Sequence, residues 1–464
     1  MADVVTLLAD DYVSYALATL NRALPSAIDG LKVSHRRILQ TGLEHGYTGL
    51  VKTSRWSGMT MGTLHPHGDS SGTIYSLVDK STYRYPLITG NGNFGGVAWE
   101  SGHRISPDGP AAARYTEVAL SDFAQHIFDI DAGLLSRRPS YDNKQQEVAS
   151  YVPAVPILAI AGATGIATGY ATTCLPFNFG SIAKVLLKHL ANGRPLSVLC
   201  RDLVPDWSSG CRVLNDHGLE AYLATGRGTI RIRGNWSIAK QKRRDTITIT
   251  ELPFCNAETY CYKIREAIKS GKVSGISDVQ DLSAKTIEVK VLCQSGISAE
   301  SVLAQLLAHT PLEDTISGNN TVLNKGLPEL MPVSGILKQW LIARREVLIA
   351  KYTKQSNALS LAKHKLQGLA KAIAMLDELI AIIRKSATKQ SAKQKLVAEY
   401  GFSEAQAEAV LNMALAKLVN SEALAIQTEI SSIEAQIAEL SRLIAEPDKA
   451  IAKQLKELRK AYAL

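Results

Sequence analysis

The sequence predicts a multidomain α+β protein, and three changes of pattern along its 464 residues support this fold class. The first 45 residues carry apolar side chains at helical spacing. From about 122 to 330, short runs of alternating apolar residues lie between helical segments. The last third repeats apolar residues in steps of three and four. The chain is also too long for one compact core, so we expect two to four domains.

The amino-terminal segment predicts two helices separated by a turn. The stretch LLADDYVSYALATLNRAL is amphipathic, Pro25 interrupts it, and DGLKVSHRRILQTGLEHG begins a second helix. Basic residues at the start of a second helix are typical of helix–turn–helix proteins that read a DNA groove. They are equally typical of a plain helical hairpin, and the pattern leaves both interpretations open.

The middle of the chain predicts an α+β section. The stretches GTIRIRG, DTITITELPF and TIEVKVLC have the alternation of strands, and ETYCYKIREAIKSGKV between them has helical spacing.

The last third predicts two antiparallel coiled-coil arms, because apolar residues recur at heptad spacing with charged flanks. The first series is Leu359, Leu366, Leu369, Ile373, Leu376, Ile380 and Ile383. The second series is Ile426, Ile430, Ile433, Ile437, Leu440 and Ile444. Between them, GFSEAQAEAVLNMALAKL predicts a short helical unit. On its own this pattern favours a spacer or a dimerisation rod.

Composition excludes several classes of protein. The 46% hydrophobic and 20% charged fractions describe a folded chain, not a disordered one. Six scattered cysteines without a C-x-x-C pair argue against a zinc ribbon or a disulfide scaffold. The amino terminus does not resemble a signal peptide, and no run of about 18 apolar residues occurs. We therefore expect a cytoplasmic protein that does not span a membrane.

The net charge of +9 supports binding to a polyanion only weakly, because most of the excess positive charge lies in the last third of the chain. Residues 336–464 hold 20 Lys and Arg against 13 Asp and Glu, whereas residues 1–120 hold 10 of each.

Four stretches contain candidate functional residues. The first, NRALPSAIDGLKVSHRR, offers Arg22, Lys32, His35, Arg36 and Arg37. The second, GTLHPHGDS, offers His65, His67, Asp69 and Ser70. The third, AARYTE, contains Arg114 and Tyr115, and the fourth, AGATGIATGYATTCLPFN, surrounds Ile166 with glycines.

Each stretch alone has an ordinary explanation. A basic helix start is usually a solvated face. The pair His65 and His67 lacks further metal ligands near by, which argues against a metal site. The glycine spacing matches neither a P-loop nor a dinucleotide-binding loop and favours a plain loop.

Taken together and in order, the stretches resemble a known family: the DNA breakage–reunion subunit of bacterial type IIA topoisomerases, the A subunit of gyrase and especially of topoisomerase IV. The matching stretches are RALPSAIDGLKVSHRRIL, HPHGDS, RYPLITGNGNFG, AAARYTE, GATGIATGYAT, TITELPF, LIARREV and GFSEAQAEAVLNMALAKL. These stretches occur in the family's order between Arg22 and Leu418, and the resemblance extends from about residue 10 to 460, nearly the whole chain.

The resemblance implies roles for the candidate residues. Tyr115 would attack a DNA phosphodiester, with Arg114 and Arg22 stabilising the charge that develops on phosphorus oxygens. The residues implied to hold the DNA backbone are Lys32, His35, Arg36, Arg37, His65, His67 and Ser70. Ile166 would be the wedge that enters the base stack and bends the duplex.

The resemblance also implies a domain plan. Residues 1–125 would form a winged-helix breakage–reunion domain, and 126–332 an α+β tower domain that carries the wedge. Residues 333–464 would form coiled-coil arms at about 333–384 and 421–460, with a small helical C-gate dimerisation domain at about 385–420.

The implied partners are double-stranded DNA, a second copy of the chain, and a B subunit with ATPase and TOPRIM domains, giving an A2B2 assembly. No metal site is expected in this chain, because the B subunit would bind both Mg²⁺ and ATP. The expected location is the nucleoid or the cytoplasm of a phage-infected cell.

Some residues depart from the family pattern. Val33 replaces a proline, SSGTIYSLVDK is shorter than its bacterial counterpart, and GVAWESGHRISPDGP ahead of Tyr115 is longer. The sequence ends at Leu464 without a β-pinwheel, as in compact phage-type subunits, so we expect relaxation and decatenation and not strong supercoiling.

Two rival hypotheses remain at this point. The chain could clamp DNA without cleaving it, or it could hydrolyse DNA with a metal at His65, His67 and Asp69.

Overall fold

The computed structural model describes residues 4–79, 83–95, 98–100, 103–105, 109–207, 210–214, 217–241, 243–253, 257–283, 286–412 and 420–462. The chain divides into two compact units. Unit 1 comprises Met1–Arg344 and Ala452–Leu464, and unit 2 comprises Arg345–Ile451. The carboxyl-terminal residues therefore belong to the same unit as the amino-terminal three quarters of the chain.

Unit 1 begins with helices that pack against a small antiparallel sheet. Its first elements are α1 (Val4–Ala23), α2 (Val33–Glu44), β1 (Val51–Lys52), α3 (Thr53–Thr63), α4 (Ser71–Val78), β2 (Ile88–Asn91), β3 (Ala98–Glu100), β4 (His103–Ile105), β5 (Glu117–Leu120) and α5 (Asp122–Ile127). The sheet has the order β1–β5–β2, and β3 pairs with β4. Helices α2, α3 and α4 contact one another around the buried Trp56, whose Nε1 donates to the Ile38 carbonyl at 2.9 Å.

The two predicted amino-terminal helices are confirmed, but the second begins at Val33 and not at Asp29. Gly30 adopts φ 68°, in the left-handed region, and the Leu31 N–H donates to the Asp29 carboxylate at 2.9 Å. A Cβ at Gly30 would lie 2.6 Å from the backbone nitrogen of Leu158. A glycine turn packed against another segment therefore delays the start of the helix.

The middle of unit 1 is the predicted α+β section. Its elements are β6 (Arg137–Pro139), β7 (Gln146–Val148), α6 (Ile157–Ala161), β8 (Ala163–Ala167), β9 (Tyr170–Cys174), α7 (Phe179–Asn192), α8 (Leu196–Leu199), β10 (Arg212–Val213), α9 (His217–Thr225), β11 (Arg227–Arg233), β12 (Trp236–Ala239), β13 (Thr246–Ile249), α10 (Ala257–Lys269), β14 (Ile276–Asp281), β15 (Val289–Cys293), α11 (Ala299–His309), β16 (Glu313–Asn319), β17 (Thr321–Asn324) and β18 (Leu327–Leu330). Short 3₁₀ helices lie at Ala132–Leu134 and Cys200–Asp202.

These strands form two main antiparallel sheets. One has five strands in the order β10–β11–β16–β9–β8, and the other has four in the order β12–β13–β15–β14. The strands predicted from GTIRIRG, DTITITELPF and TIEVKVLC are confirmed as β11, β13 and β15, and the intervening helix as α10. The apolar faces of α10 and α11 pack on the four-stranded sheet and form one buried core with it.

The helical carboxyl-terminal third consists of α12 (Val333–Ala374), α13 (Leu376–Lys385), α14 (Lys389–Tyr400), α15 (Glu404–Leu411), α16 (Asn420–Ala445) and α17 (Pro447–Tyr462). Within unit 2, Arg345 pairs with Asp448 at 2.6 Å and Lys363 pairs with Glu434 at 3.3 Å. The partner number falls as the α12 number rises, so the two stretches run in opposite directions. The predicted first arm is interrupted, because Met375 (φ −123°, ψ 40°) separates α12 from α13.

That interruption changes which residues are buried. Ile380 and Ile383, predicted as seam positions, are 36% and 41% exposed, whereas Leu379 and Ile382 are buried. A new helix that starts at Leu376 shifts the phase of the apolar face by one residue, so this end of the predicted seam is wrong. The predicted second arm also ends early, at Ala445, because Pro447 begins a new helix. Ile426, Ile430 and Ile433 are buried as predicted.

The predicted unit between the arms buries Leu396, Phe402 and Val410 in a small core that it shares with Ala372 of α12 and Leu379 of α13. Residues 413–419, which the predicted C-gate domain includes, lie outside the described residues. Among the helices described, none is both long enough and apolar enough to cross a bilayer.

Candidate active site

Tyr115 lies on a turn immediately before β5, and its side chain is 66% exposed. Two backbone hydrogen bonds from the start of α3 hold this turn: Ser54 N–H donates to the Ala113 carbonyl at 3.1 Å, and Thr53 N–H donates to the Thr116 carbonyl at 3.0 Å. The hydroxyls of Thr53 and Thr116 are 2.7 Å apart, and both residues are fully buried. The phenol is therefore exposed on a turn whose backbone is fixed.

Arg114 provides the positive charge beside this phenol. Its guanidinium carbon lies 4.7 Å from the centroid of the Tyr115 ring, within the range of a cation–π contact. Both side chains are exposed, and within the described ranges no carboxylate pairs with Arg114. An exposed phenol and an unneutralised guanidinium thus share one surface, which suits an anionic ligand.

The segment ahead of Tyr115 is anchored as well. Tyr75 Oη donates to the Ala111 carbonyl at 3.0 Å, and Ala111 N–H donates to the Asn93 carbonyl at 2.9 Å. Of the longer GVAWESGHRISPDGP stretch, the structure describes the β3–β4 hairpin, and residues 96–97, 101–102 and 106–108 lie outside the description.

Ile166 lies on a β-hairpin, although its glycines favoured a plain loop. Strands β8 and β9 pair with Ile166 opposite Ala171, and Gly169 takes φ 74° at the turn. The Ile166 side chain is 76% exposed. A large apolar side chain that is open to solvent on a paired hairpin has the shape and the freedom that a wedge between bases requires.

The end of helix α1, which carries Arg22, packs against this hairpin. A Cβ at Gly165 would lie 2.2 Å from the Ala23 carbonyl oxygen, and Thr19 Oγ1 donates to Thr168 Oγ1 at 3.0 Å. Arg22, in the last turn of α1, is exposed. No hydrogen bond or ring contact within the described part of one chain joins Arg22 to Tyr115. These contacts place the last turn of α1, which carries Arg22, beside the wedge hairpin.

The basic residues at the start of α2 have different environments. Lys32 is half-buried, and burial lowers the pKa of its amine. Burial and the neighbouring charges of Lys32 and Arg36 lower the pKa of His35 to about 3. His35 is therefore neutral at physiological pH in the DNA-free chain, where its imidazole can offer a neutral N–H as a hydrogen-bond donor.

Arg36 is not available at the surface, contrary to its predicted place in the DNA interface. It is buried, and its Nε lies 2.8 Å from Asp29 Oδ2. Its Nη2 donates to Asp29 Oδ1 at 3.2 Å and to the Leu31 carbonyl at 3.0 Å. The physical reason is the buried Asp29, which also accepts from the Tyr151 N–H at 2.9 Å and needs a cation for compensation.

Arg37 is paired in a similar way, with Glu147. Its Nε lies 2.6 Å from Glu147 Oε2, and its Nη1 lies 3.4 Å from His65 Nδ1. Arg138 contacts the second oxygen of Glu147 at 2.6 Å. Burial opposes ionisation of Glu147, but the hydrogen bonds and charges of the two arginines hold its pKa below the ordinary value. Sequence reasoning missed Glu147, because nothing in its local sequence marks a partner 110 residues away.

His65 and His67 follow α3, and their rings meet edge to face with centroids 5.6 Å apart. His65 is half-buried, and burial together with Arg37 lowers its pKa. His67 is exposed. Across the described ranges, no group of three or more His, Cys, Asp or Glu is placed to hold a metal ion.

Ser70 is buried, so its predicted contact with DNA is not available in this structure. Its hydroxyl lies 2.9 Å from that of Ser57, which also donates to Asp69 Oδ1 at 2.5 Å. Asp69 Oδ1 accepts from the Ser71 hydroxyl at 2.8 Å. The polar groups of HPHGDS after the histidines are thus used to fix the start of α4.

The chain is similar in sequence to known proteins over most of its length. A sequence model of the family described as DNA gyrase/topoisomerase IV, A subunit, matches residues 22–459. The chain is 33% identical over 432 residues to the A subunit of DNA gyrase from Chlamydia pneumoniae, covering 90% of this chain and 51% of that protein. A probable chloroplastic/mitochondrial DNA gyrase A subunit of Oryza sativa is 35% identical over 432 residues, covering 89% of this chain and 45% of that protein.

A third relative, the DNA gyrase A subunit of Chlamydia trachomatis, is 34% identical over 431 residues and is also covered for 51% of its length. The chain therefore spans about half the length of these relatives. Because the family model covers most of the chain, the protein belongs to the family of DNA gyrase/topoisomerase IV A subunits.

Proposed function

We propose that the chain is the DNA breakage–reunion subunit of a type IIA topoisomerase and that Tyr115 is its nucleophile. The observation that supports this most is the exposed Tyr115 phenol, held on a fixed turn with the Arg114 guanidinium against its ring, a cation that no carboxylate of the described ranges neutralises. Family membership supports the reaction class, and this geometry offers the residues for it.

In the proposed reaction, Tyr115 Oη attacks the phosphorus of a DNA phosphodiester. A P–O bond to tyrosine forms and the P–O3′ bond breaks. The Tyr115 hydroxyl loses its proton, and the departing 3′-oxygen gains one, so the number of protons is unchanged. The product is a 5′-phosphotyrosyl ester and a free 3′-hydroxyl. Because one ester replaces another, the 3′-hydroxyl can reverse the step and reseal the strand.

Arg114 would neutralise charge that develops on the phosphoryl oxygens during this exchange. Arg22 is assigned the same task from the family resemblance. Because no hydrogen bond or ring contact joins it to Tyr115 within the described part of one chain, we propose that a second copy of the chain completes the site. Lys32, His35, Arg37, His65 and His67 remain the proposed contacts to the DNA backbone, which position DNA without reading its sequence. Arg36 and Ser70 do not belong to this set, because both are buried.

Mg²⁺ and ATP would be supplied by a B subunit with ATPase and TOPRIM domains, so that an A2B2 complex relaxes and decatenates DNA. A bound Mg²⁺ would add electrostatic stabilisation at the attacked phosphate. The domain plan inferred from the family, with a winged-helix domain, a tower and a C-gate, is part of the same proposal.

The replacement Tyr115→Phe tests the nucleophile directly. The variant protein is mixed with a gyrase or topoisomerase IV B subunit, Mg²⁺, ATP and supercoiled plasmid, and covalent complexes are trapped with detergent. We expect the variant to bind DNA normally, because the exposed phenol has no hydrogen-bond partner in the described structure, and to lose strand cleavage and relaxation.

Tyr141→Phe is the matched control, because Tyr141 is also a surface tyrosine, 53% exposed. It should retain full activity. If the Tyr115→Phe protein still cleaves, the nucleophile is another group. DNA binding without trapped complexes in the wild-type assembly would instead support the rival function, a clamp that does not cleave.

A further inference from the structure

A basic groove in unit 1 is separate from the elements that carry the candidate active site. It has a volume of about 680 Å³ and lies between α7 and the end of α17. Its lining residues are Asn178, Gly180, Ser181, Lys184, Leu187, Lys456, Arg459 and Lys460. Four of these eight are cations and none is acidic. None belongs to α1–α4, β5 or the β8–β9 hairpin.

Three of the cations lie on one face of α17. Arg459 and Lys460 follow Lys456 by three and four residues, so each lies beside Lys456 on the helix. Like charges at this spacing repel one another, so their grouping is unfavourable without a counter-charge. They also belong to the segment where the sequence concentrates its excess of positive charge.

No carboxylate of the described structure neutralises these cations. None of the four side chains forms an ion pair or a hydrogen bond with an acid there, and α7 contains no Asp or Glu. Glu457, their neighbour on α17, does not line the groove. Asp206 accepts from Asn178 Nδ2 at 3.1 Å, but Arg84 already pairs with it at 2.6 Å.

The positive charge of the groove comes from side chains and not from an open helix end. The Asn178 carboxamide oxygen accepts from the Gly180 N–H at 2.8 Å and lies 3.4 Å from the Ser181 nitrogen. The amino end of α7 is thus capped by the protein itself.

The wall formed by α17 is fixed in place. Leu455 is fully buried, and Gln454 Nε2 donates to Asp129 Oδ2 at 3.0 Å. The Tyr462 ring packs edge to face on Phe123 with centroids 5.2 Å apart, and its hydroxyl contacts His126 Nδ1. The three cations of α17 therefore extend from a rigid helix and line a groove that exists before any ligand binds.

We propose that this groove binds backbone phosphates of DNA outside the Tyr115 site. All four cations are exposed on long, flexible side chains, which is typical of sequence-independent backbone contacts. A site for a small polyphosphate would enclose most of its ligand instead. The inference rests on the proposed function only in taking DNA as the ligand.

Salt-dependent binding of a labelled DNA duplex to the full chain tests the proposal. The double variant Lys456→Gln/Lys460→Gln removes two phosphate contacts, so the slope of log K against log salt should become shallower by about two, at ~0.9 per contact. Affinity at low salt should fall on the order of tenfold. The charge-matched control Lys269→Gln/Lys272→Gln, two exposed lysines outside the groove, should leave the slope unchanged.

Equal slopes for the groove variant, the control and the wild-type protein would overturn the proposal. Calorimetric titration with tripolyphosphate tests whether the groove binds a small polyphosphate instead of DNA. Saturable binding of tripolyphosphate that the groove variant loses, with no change in its DNA slope, would also overturn the assignment to DNA. Neither measurement requires DNA cleavage. If only the Tyr115 chemistry is wrong, the wild-type assembly will give no trapped complexes, but the groove variant will still show a changed salt slope.

Discussion

His35 shows how one residue can make stability depend on pH. Burial and the charges of Lys32 and Arg36 lower its pKa from 6.5 to about 3. Between these two values the unfolded chain binds a proton that the folded chain does not, so protonation favours unfolding. The folded state should therefore lose stability as the pH falls from 6.5 towards 3.

The variant His35→Gln removes this titration. Urea unfolding of both proteins across this pH range should show that the wild-type free energy of unfolding falls more steeply than that of the variant. Carboxylates that titrate in both proteins contribute equally to the two free energies of unfolding, so their contribution disappears when one is subtracted from the other. Parallel curves would show that His35 does not have the lowered pKa.

The residues of the basic stretch also show what local sequence can and cannot predict. SHRR indicates a positively charged helix start, and the structure confirms the helix. It cannot indicate that Arg36 is buried against Asp29 while Arg37 pairs with Glu147, because those environments depend on packing between distant segments. The burial of Ser70 could not be predicted for the same reason, since its hydroxyl meets Ser57 in the interior.

At the scale of elements, alternation predicted the strands of the middle section well, because antiparallel sheets with one buried face impose that pattern. Heptad spacing was less informative near residue 380. The pattern assumes one continuous helix, and the interruption at Met375 moves burial to Leu379 and Ile382.

The β8–β9 hairpin gives a prediction at this scale. Ile166→Ala removes most of an apolar side chain that is already exposed, so the fold and the Tyr115 turn should be unaffected. If Ile166 wedges between base pairs, the variant should bend a bound duplex less, because unstacking by an inserted side chain is what allows the kink. Energy transfer between dyes at the two duplex ends measures the bend.

Leu327→Ala is the matched control for the wedge. Leu327 is 64% exposed and begins the second strand of a different hairpin, β17–β18, so its variant should bend DNA like the wild-type protein. If the Ile166→Ala and wild-type proteins bend DNA equally, Ile166 does not act as a wedge.

At the scale of the whole molecule, the proposed function requires a dimer. A double-strand break needs two copies of Tyr115 related by a two-fold axis, and a symmetric pair is the usual oligomer for such a task. Two chains of 50.2 kDa give 2 × 50.2 = 100.4 kDa. Sedimentation equilibrium of the chain alone should yield this larger mass at micromolar concentration. A mass of 50.2 kDa throughout would require DNA or the B subunit to bring the copies together.

The most direct test of the central claim is to locate the bond between protein and DNA. Complexes trapped in the presence of Mg²⁺ and the B subunit are digested with nuclease and protease, and the modified peptide is sequenced by mass spectrometry. We predict a nucleotide joined through its 5′-phosphate to the phenolic oxygen of Tyr115. A nucleotide attached to any other residue, or through a 3′-phosphate, would contradict the account.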